Sequence, residues 1–211
     1  MSTLAEWRNT LSYQPISLGL IALLTSGALA LANQLTQPGV ISAEKLDLQN
    51  TLTEVLPAGF ADNDLLQDNV KITGEDGTPV IVYRARKNGV IQGTVFKTSS
   101  RGYAGDVVVL IGIDVKGTML GARVVKHQET PGLGDKIDVA KSKWIHAFEG
   151  KSLSSPPADK WAVKKDGGVF DQFAGATITP RAVVKAVKQG VQFYDTHHLE
   201  ILADKAAGAG Q

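Results

Sequence analysis

From Asn9 to Ala43 the chain carries no charged side chain. That gap constrains the fold more than any other feature. Within it, Pro15 to Ala32 is apolar apart from serine and threonine. A helix crossing a bilayer needs about 20 such residues, with roughly 17 as the lower limit. Serine and threonine are tolerated there because their hydroxyls bond back to helix carbonyls. The alternative is a cleaved signal peptide, with Ala30-Leu31-Ala32 as a small-residue cleavage site. The leading segment is only weakly basic, since Glu6 offsets Arg8, and this favours a retained anchor. Arg8 and the amino terminus favour the cytoplasmic side for the N-terminus, which puts the bulk of the chain outside.

A chain of 211 residues fits one domain plus an appendage. Its 22 Lys and Arg against 21 Asp and Glu leave a formal charge of +1, and no basic block stands out. Nucleic acid is therefore not an expected partner. The absence of cysteine excludes thiolate metal sites, iron–sulfur ligation, disulfides and thiol catalysis, and suits an oxidising compartment.

Thr36 to Gly39 reads as a short linker. Ala43 to Leu56 follows as an amphipathic helix with Leu48, Leu52, Val55 and Leu56 on one face, ended by Pro57-Ala58-Gly59. A polar stretch runs from Asp62 to Thr78, and then the period changes. Val80–Arg84 and Val90–Thr98 are strands joined by a hairpin at Lys87-Asn88-Gly89. Asp106–Ile113, dense in valine and isoleucine, is a central strand. Asp114-Val115-Lys116-Gly117 turns it into another, Thr118–Lys126. A helix is expected from Asp135, with Ile137, Ala140, Trp144 and Phe148 inward. Gly150–Lys160 is a second linker-like excursion, and Trp161-Ala162-Val163 and Val169-Phe170 are short strands around a turn at Asp166-Gly167-Gly168. The last helix has Val183, Val184, Val187, Val191 and Tyr194 on one side, and Ala206–Gln211 reads as a frayed tail. Antiparallel strands followed by helices specify an α+β domain. No Gly-x-Gly-x-x-Gly lies between a strand and a helix, so a Rossmann nucleotide site is not supported.

Three loops hold the candidate chemistry. In Asp171-Gln172-Phe173-Ala174-Gly175-Ala176-Thr177-Ile178-Thr179-Pro180, small residues surround a threonine just before a helix. Thr179 and Pro180 occupy the expected positions of a helix cap and a first helical residue. Such a helix start offers free backbone N–H groups and a partial positive charge, which suit a phosphate. Gly102-Tyr103-Ala104-Gly105 permits close backbone approach to a flat or phosphorylated group, or is an ordinary loop. In His127-Gln128-Glu129-Thr130-Pro131-Gly132-Leu133-Gly134-Asp135-Lys136, Pro131-Gly132 suits a tight turn. No second histidine or carboxylate stands at ligand spacing from His127, so it reads as a hydrogen-bonding residue of the loop and Glu129 as a loop carboxylate. His197-His198 are adjacent and do not share a helix face, so no metal site is expected there.

Taken together, His127–Gly134 and Gly175-Ala176-Thr177-Ile178-Thr179-Pro180 resemble the FMN-binding domain family, in particular the G subunit of the Rnf (Rsx) electron transport complex. The C subunit of the sodium-pumping NADH:quinone reductase is a relative and an alternative assignment; an exported scaffold domain that has lost its flavin is another. The resemblance covers nearly the whole chain. It implies an α+β fold in which a transmembrane helix precedes one antiparallel-sheet FMN-binding domain with flanking helices: an anchor over 1–35, the exported domain over 36–205 and a flexible tail over 206–211. It implies FMN joined by its phosphate to Thr177 after a flavin transferase cleaves FAD. Asp171 and Ala174 then belong to the flavinylation motif, with Ala174 standing where Ser or Thr is usual. Cofactor contacts fall to Gly102, Tyr103, Glu129, Thr130, Gly132, Leu133, Gly134, Lys136, Gly175 and Ala176. The implied function is electron carriage in an ion-translocating oxidoreductase, with little activity expected from the isolated chain. Its partners are the other components of the complex, the FAD-dependent FMN transferase and membrane lipid. The implied location is the bacterial inner membrane, single-pass, with the domain on the periplasmic side.

Overall fold

A computed structural model describes residues 13–74 and 77–203. Glu6, Arg8 and the expected tail at 206–211 lie outside the described residues. The chain divides into two units, Met1–Leu48 and Gln49–Gln211.

The first unit holds most of one helix, α1, which runs from Tyr13 to Glu54. It is long and apolar enough to cross a membrane, and the apolar stretch buries nothing against protein. Leu23, Leu29 and Leu35 are 70%, 71% and 74% exposed. The linker expected at Thr36–Gly39 is helical instead. Pro38 removes one backbone donor, and the helix continues through it; one turn earlier the Thr36 hydroxyl donates to the Ala32 carbonyl at 2.9 Å and to that of Asn33 at 3.4 Å. Apolar helices commonly accommodate a proline through neighbouring groups and small local adjustments, so Pro-Gly need not end one.

In the second unit, Leu52 near the end of α1 and Val55 just after the helix are buried, on the face that the spacing requires. Five antiparallel strands follow in sequential order: β1 (Asn69–Thr73), β2 (Pro79–Lys87), β3 (Val90–Arg101), β4 (Asp106–Asp114) and β5 (Met119–Lys126). The β2–β3 turn places Asn88 at φ 51° and Gly89 at φ 80°, the twisted two-residue hairpin that Asn-Gly specifies. β1 lies in the polar stretch from Asp62 to Thr78, for which no strand is expected. Only Ile72 of its five residues is fully buried, too little to register as a strand period.

The last helix, α2 (Ile178–Leu202), lies across one sheet face. Val183, Val184, Val187, Val191 and Tyr194 are all buried. Gly190 sits against Ile111 and Thr98 where a Cβ would collide, and the Thr98 hydroxyl donates to the Ala186 carbonyl at 2.9 Å. Because strand residues alternate faces, Gly112 lies opposite Ile111. There the Val55 carbonyl packs, so tightly that a Cβ at Gly112 or Gly121 would approach it to 2.6 or 2.8 Å. The sheet is therefore covered on both sides.

Between β5 and α2 the chain differs from expectation. The helix expected from Asp135 is two 3₁₀ segments, Asp135–Ile137 and Trp144–Phe148. Ser142 interrupts it: its hydroxyl donates to the Lys136 carbonyl at 2.6 Å and accepts from the Trp144 N–H at 3.1 Å. Side-chain competition of this kind breaks the helical ladder. Ile137 and Phe148 remain buried, as does Ile145, whereas Ala140 is exposed. The short strands reduce to one isolated bridge, Val163 with Phe170, around a 3₁₀ turn at Lys164–Asp166. Gly150–Lys160 is held to the domain, since Met119 and Gly150–Lys151 exchange backbone bonds of 2.8 and 2.9 Å.

Candidate functional site

The three singled-out loops converge. They enclose a cavity of about 320 Å³.

The first wall is the β3–β4 loop. The Gly102 N–H donates to the Gly105 carbonyl at 2.8 Å, which folds the loop back and leaves Tyr103 70% exposed at the cavity. The second wall follows β5. His127 accepts the Glu129 N–H on Nδ1 at 3.1 Å and faces Asp138 Oδ2 with Nε2, also at 3.1 Å. Acceptance at Nδ1 places the ring proton on Nε2, so Asp138 is the acceptor. His127 is thus the hydrogen-bonding residue expected. The Leu133 and Gly134 N–H groups both donate to the Thr130 carbonyl at 3.1 Å. Gly132 has φ 78°, a conformation that favours glycine. Its N–H donates to Asp135 Oδ1 at 2.8 Å.

The third wall is the segment before α2. The Ala176 N–H donates to the Phe173 carbonyl at 3.3 Å, closing a turn with Gly175 at φ 78°. Trp144 anchors this segment: its Nε1 donates to the Asp171 carbonyl at 2.8 Å, and its ring meets Phe173 edge-on at 5.2 Å. Lys164 pairs with Asp171 at 2.6 Å, and Arg181 grips both Asp166 oxygens at 2.6 Å. The hydrogen bond to Arg181 holds the Asp166 carboxyl below its ordinary range, and the same bond raises Arg181.

Tyr103, Glu129, Thr130, Leu133, Gly134, Gly175, Ala176 and Thr177 all line the cavity. Gly102, Gly132 and Lys136 do not: Gly102 is buried at the base of the β3–β4 loop, and Gly132 and Lys136 are exposed. Asp171 and Ala174 are exposed outside it, Ala174 in the turn that precedes Gly175.

Two lining residues were not among those expected from the sequence, Ile178 and Thr179. Thr179 does not cap α2. The helix starts at Ile178, Thr177 makes no side-chain cap bond, and the buried Thr179 hydroxyl donates to Glu129 Oε2 instead. No local signal marks that pair, which lies 50 residues apart in sequence. Glu129 is likewise more than a loop carboxylate. It is 5% exposed, and its Oε1 accepts the N–H groups of Tyr103 at 3.0 Å and Ala104 at 3.2 Å. With Thr179 bonded inward, half-buried Thr177 has a hydroxyl with no hydrogen-bond partner among the described residues.

Residues 102–192 match the FMN-binding domain family model. The chain is 50% identical over 187 residues to the G subunit of the ion-translocating oxidoreductase complex of Stutzerimonas stutzeri, covering 89% of this chain and 82% of that one. It belongs to this G-subunit family. The corresponding protein of Pseudomonas aeruginosa is 44% identical over 97% of this chain and 98% of its own, and that of Cereibacter sphaeroides is 42% identical over 94% and 90%. The matched span begins at Gly102 and takes in all three walls of the cavity.

The walls fit FMN on physical grounds. The volume lies within the roughly 300–1,000 Å³ of small-molecule pockets. Tyr103, Leu133 and Ile178 supply aromatic and apolar surface, and all three are still substantially exposed. Among the described residues no lysine or arginine lines the cavity. The start of α2, beside Thr177, has leading N–H groups that lack intrahelical partners and suit an anion.

Proposed function

We propose that this chain is the flavin-carrying, membrane-anchored component of an ion-translocating electron transport complex, with FMN held as a phosphoester on Thr177. The observation that carries the attachment is the contrast between two neighbouring hydroxyls, Thr179 committed to buried Glu129 and Thr177 uncommitted at the cavity edge. In maturation by an FAD-dependent FMN transferase, the Thr177 oxygen forms a bond to the flavin-side phosphorus of FAD. The pyrophosphate bond breaks, AMP leaves and the hydroxyl proton passes to solvent. No electrons are exchanged.

Bound FMN supplies reversible electron transfer. The protein's part is to hold it. Thr177 tethers it, so the flavin stays at high effective concentration over its pocket. Tyr103, Leu133 and Ile178 offer apolar surface to the ring system, the start of α2 meets the phosphate, and the backbone of the Thr130–Gly134 turn meets polar ring edges. Gly175 and Ala176 leave the approach to Thr177 open. Asp171 and Ala174, outside the cavity, belong to recognition by the transferase. α1 supplies a single membrane pass in the bacterial inner membrane with the domain on the periplasmic side, where untethered FMN diffuses away. The other components of the complex supply and accept the electrons.

The test is coexpression of the full chain with the transferase, followed by denaturing electrophoresis and in-gel fluorescence. The parent gives a fluorescent band and Thr177→Ala gives none. A fluorescent band retained by Thr177→Ala overturns the acceptor assignment.

A further inference from the structure

Glu129 joins all three walls of the cavity. It stands on the second wall, accepts two N–H bonds from the first through Oε1, and accepts the Thr179 hydroxyl of the third through Oε2. Its own N–H is fixed by His127, which Asp138 fixes in turn. Glycines make room for it on both flanks. A Cβ at Gly102 would lie 2.5 Å from Glu129 Oε1, and one at Gly134 would lie 2.9 Å from Glu129 Cβ and 2.8 Å from Thr179 Oγ. Neither glycine has a positive φ, so the demand at both is for space around this carboxylate rather than for backbone freedom.

We infer that Glu129 is a positioning residue: a carboxylate clamp that sets the spacing of the walls and so holds the flavin ring still, without contributing to the covalent tether. The carboxylate's hydrogen bonds run to the protein's own walls, and it is 5% exposed. The loop it holds is otherwise tied across its neck by the Gly102–Gly105 bond, and its tip carries the exposed Tyr103. Without the clamp, the Tyr103 loop and the start of α2 are free to part. Thr177 lies outside the bonded set, so its hydroxyl stays available.

The flavin part of the test rests on the proposed function, and the apo part does not. In the apo full chain, hydrogen–deuterium exchange at the Tyr103 and Ala104 amides is slow in the parent and rises in Glu129→Ala, while exchange in β4 is unchanged. Glu129→Gln restores protection, because an amide oxygen still accepts both N–H bonds and the amide nitrogen can donate to Thr179. Where Glu129→Ala fails to fold, Thr179→Val removes one arm of the clamp and is expected to show a smaller rise. After coexpression with the transferase, Glu129→Ala keeps the denatured fluorescent band but loses most of its native flavin anisotropy. Apparent FMN affinity in a Thr177→Ala background weakens in proportion to the lost competent fraction, about tenfold at a fraction near one tenth. Unchanged amide exchange in both Glu129→Ala and Thr179→Val overturns the clamp. So does a preserved band with unchanged anisotropy. A band retained by Thr177→Ala overturns only the acceptor.

Discussion

Gly102→Ala probes the wall of the cavity most sharply. The added Cβ meets three obstacles: Glu129 Oε1 at 2.5 Å, Val107 Cγ2 at 2.8 Å and the Gly105 carbonyl at 2.9 Å. The carbonyl is held by the 2.8 Å bond from the Gly102 N–H, and Val107 is fully buried. The carboxylate therefore has to move, and its bonds from Tyr103 and Ala104, already 3.0 and 3.2 Å, break. A hydrogen bond to a charged group is worth about 1.5–3 kcal/mol. Both donors lie in an exposed loop and regain water, so the pair amounts to about 2 kcal/mol, and overpacking against Val107 adds about 1 kcal/mol. At roughly 2–4 °C per kcal/mol for a domain of this size, a loss of about 3 kcal/mol lowers Tm by about 6–12 °C. The assay is thermal unfolding of the full chain in detergent, followed by near-ultraviolet circular dichroism. In a Glu129→Ala background the same glycine substitution costs distinctly less, because the nearest obstacle is gone. A Tm within about 2 °C of the parent, or full additivity of the two substitutions, refutes the reasoning.

Alkali and acid should each act through an identifiable group. Burial, helped by Asp114, pushes the Tyr194 phenol up to about 12, and its hydroxyl is buried without a hydrogen-bond partner among the described residues. A raised folded-state value means stability is fully present below the ordinary 10.0 and is lost as pH rises toward 12. Tyr194→Phe should flatten that decline in alkaline unfolding titrations, and leave neutral stability unchanged or raised by about 1 kcal/mol; an unchanged alkaline slope contradicts it. Asp166 has a depressed folded-state value, so the Arg181 pair stabilises above the ordinary 3.8 and is lost as pH falls through the lower folded value. Asp166→Asn should therefore remove an acid-dependent loosening of the loop before α2, read by limited proteolysis between pH 5 and 2; an identical acid profile argues against the pair.

Much of the fold was legible because it is local. Asn88-Gly89 specified the hairpin, and the valine and isoleucine density of Asp106–Ile113 specified a buried strand. The 3.6-residue spacing from Val183 to Tyr194 specified the face that α2 buries. Features set by distant partners were not legible. Ser142 turned a convincing helical period at Ile137, Trp144 and Phe148 into two 3₁₀ segments by taking over backbone bonds. β1 hid in polar sequence because its place depends on pairing with β2. At the site, glycines, tyrosine and threonine could be grouped from the family motifs, whereas the role of Glu129 depends on bonds to Tyr103, Ala104 and Thr179, none of them nearby in sequence. Thr179 looked like a cap for the same reason: local rules see the helix start and not the carboxylate that claims its hydroxyl.

The central claim is that one hydroxyl, that of Thr177, carries the flavin. Peptide mass spectrometry of the full chain matured by the transferase tests it most directly. The account predicts a peptide spanning 177 heavier by FMN less one water, with fragmentation assigning the added mass to Thr177, its retention in Thr177→Ser and its disappearance in Thr177→Ala. The same added mass on Thr130 or Thr179, or on the Thr177→Ala protein, contradicts the account.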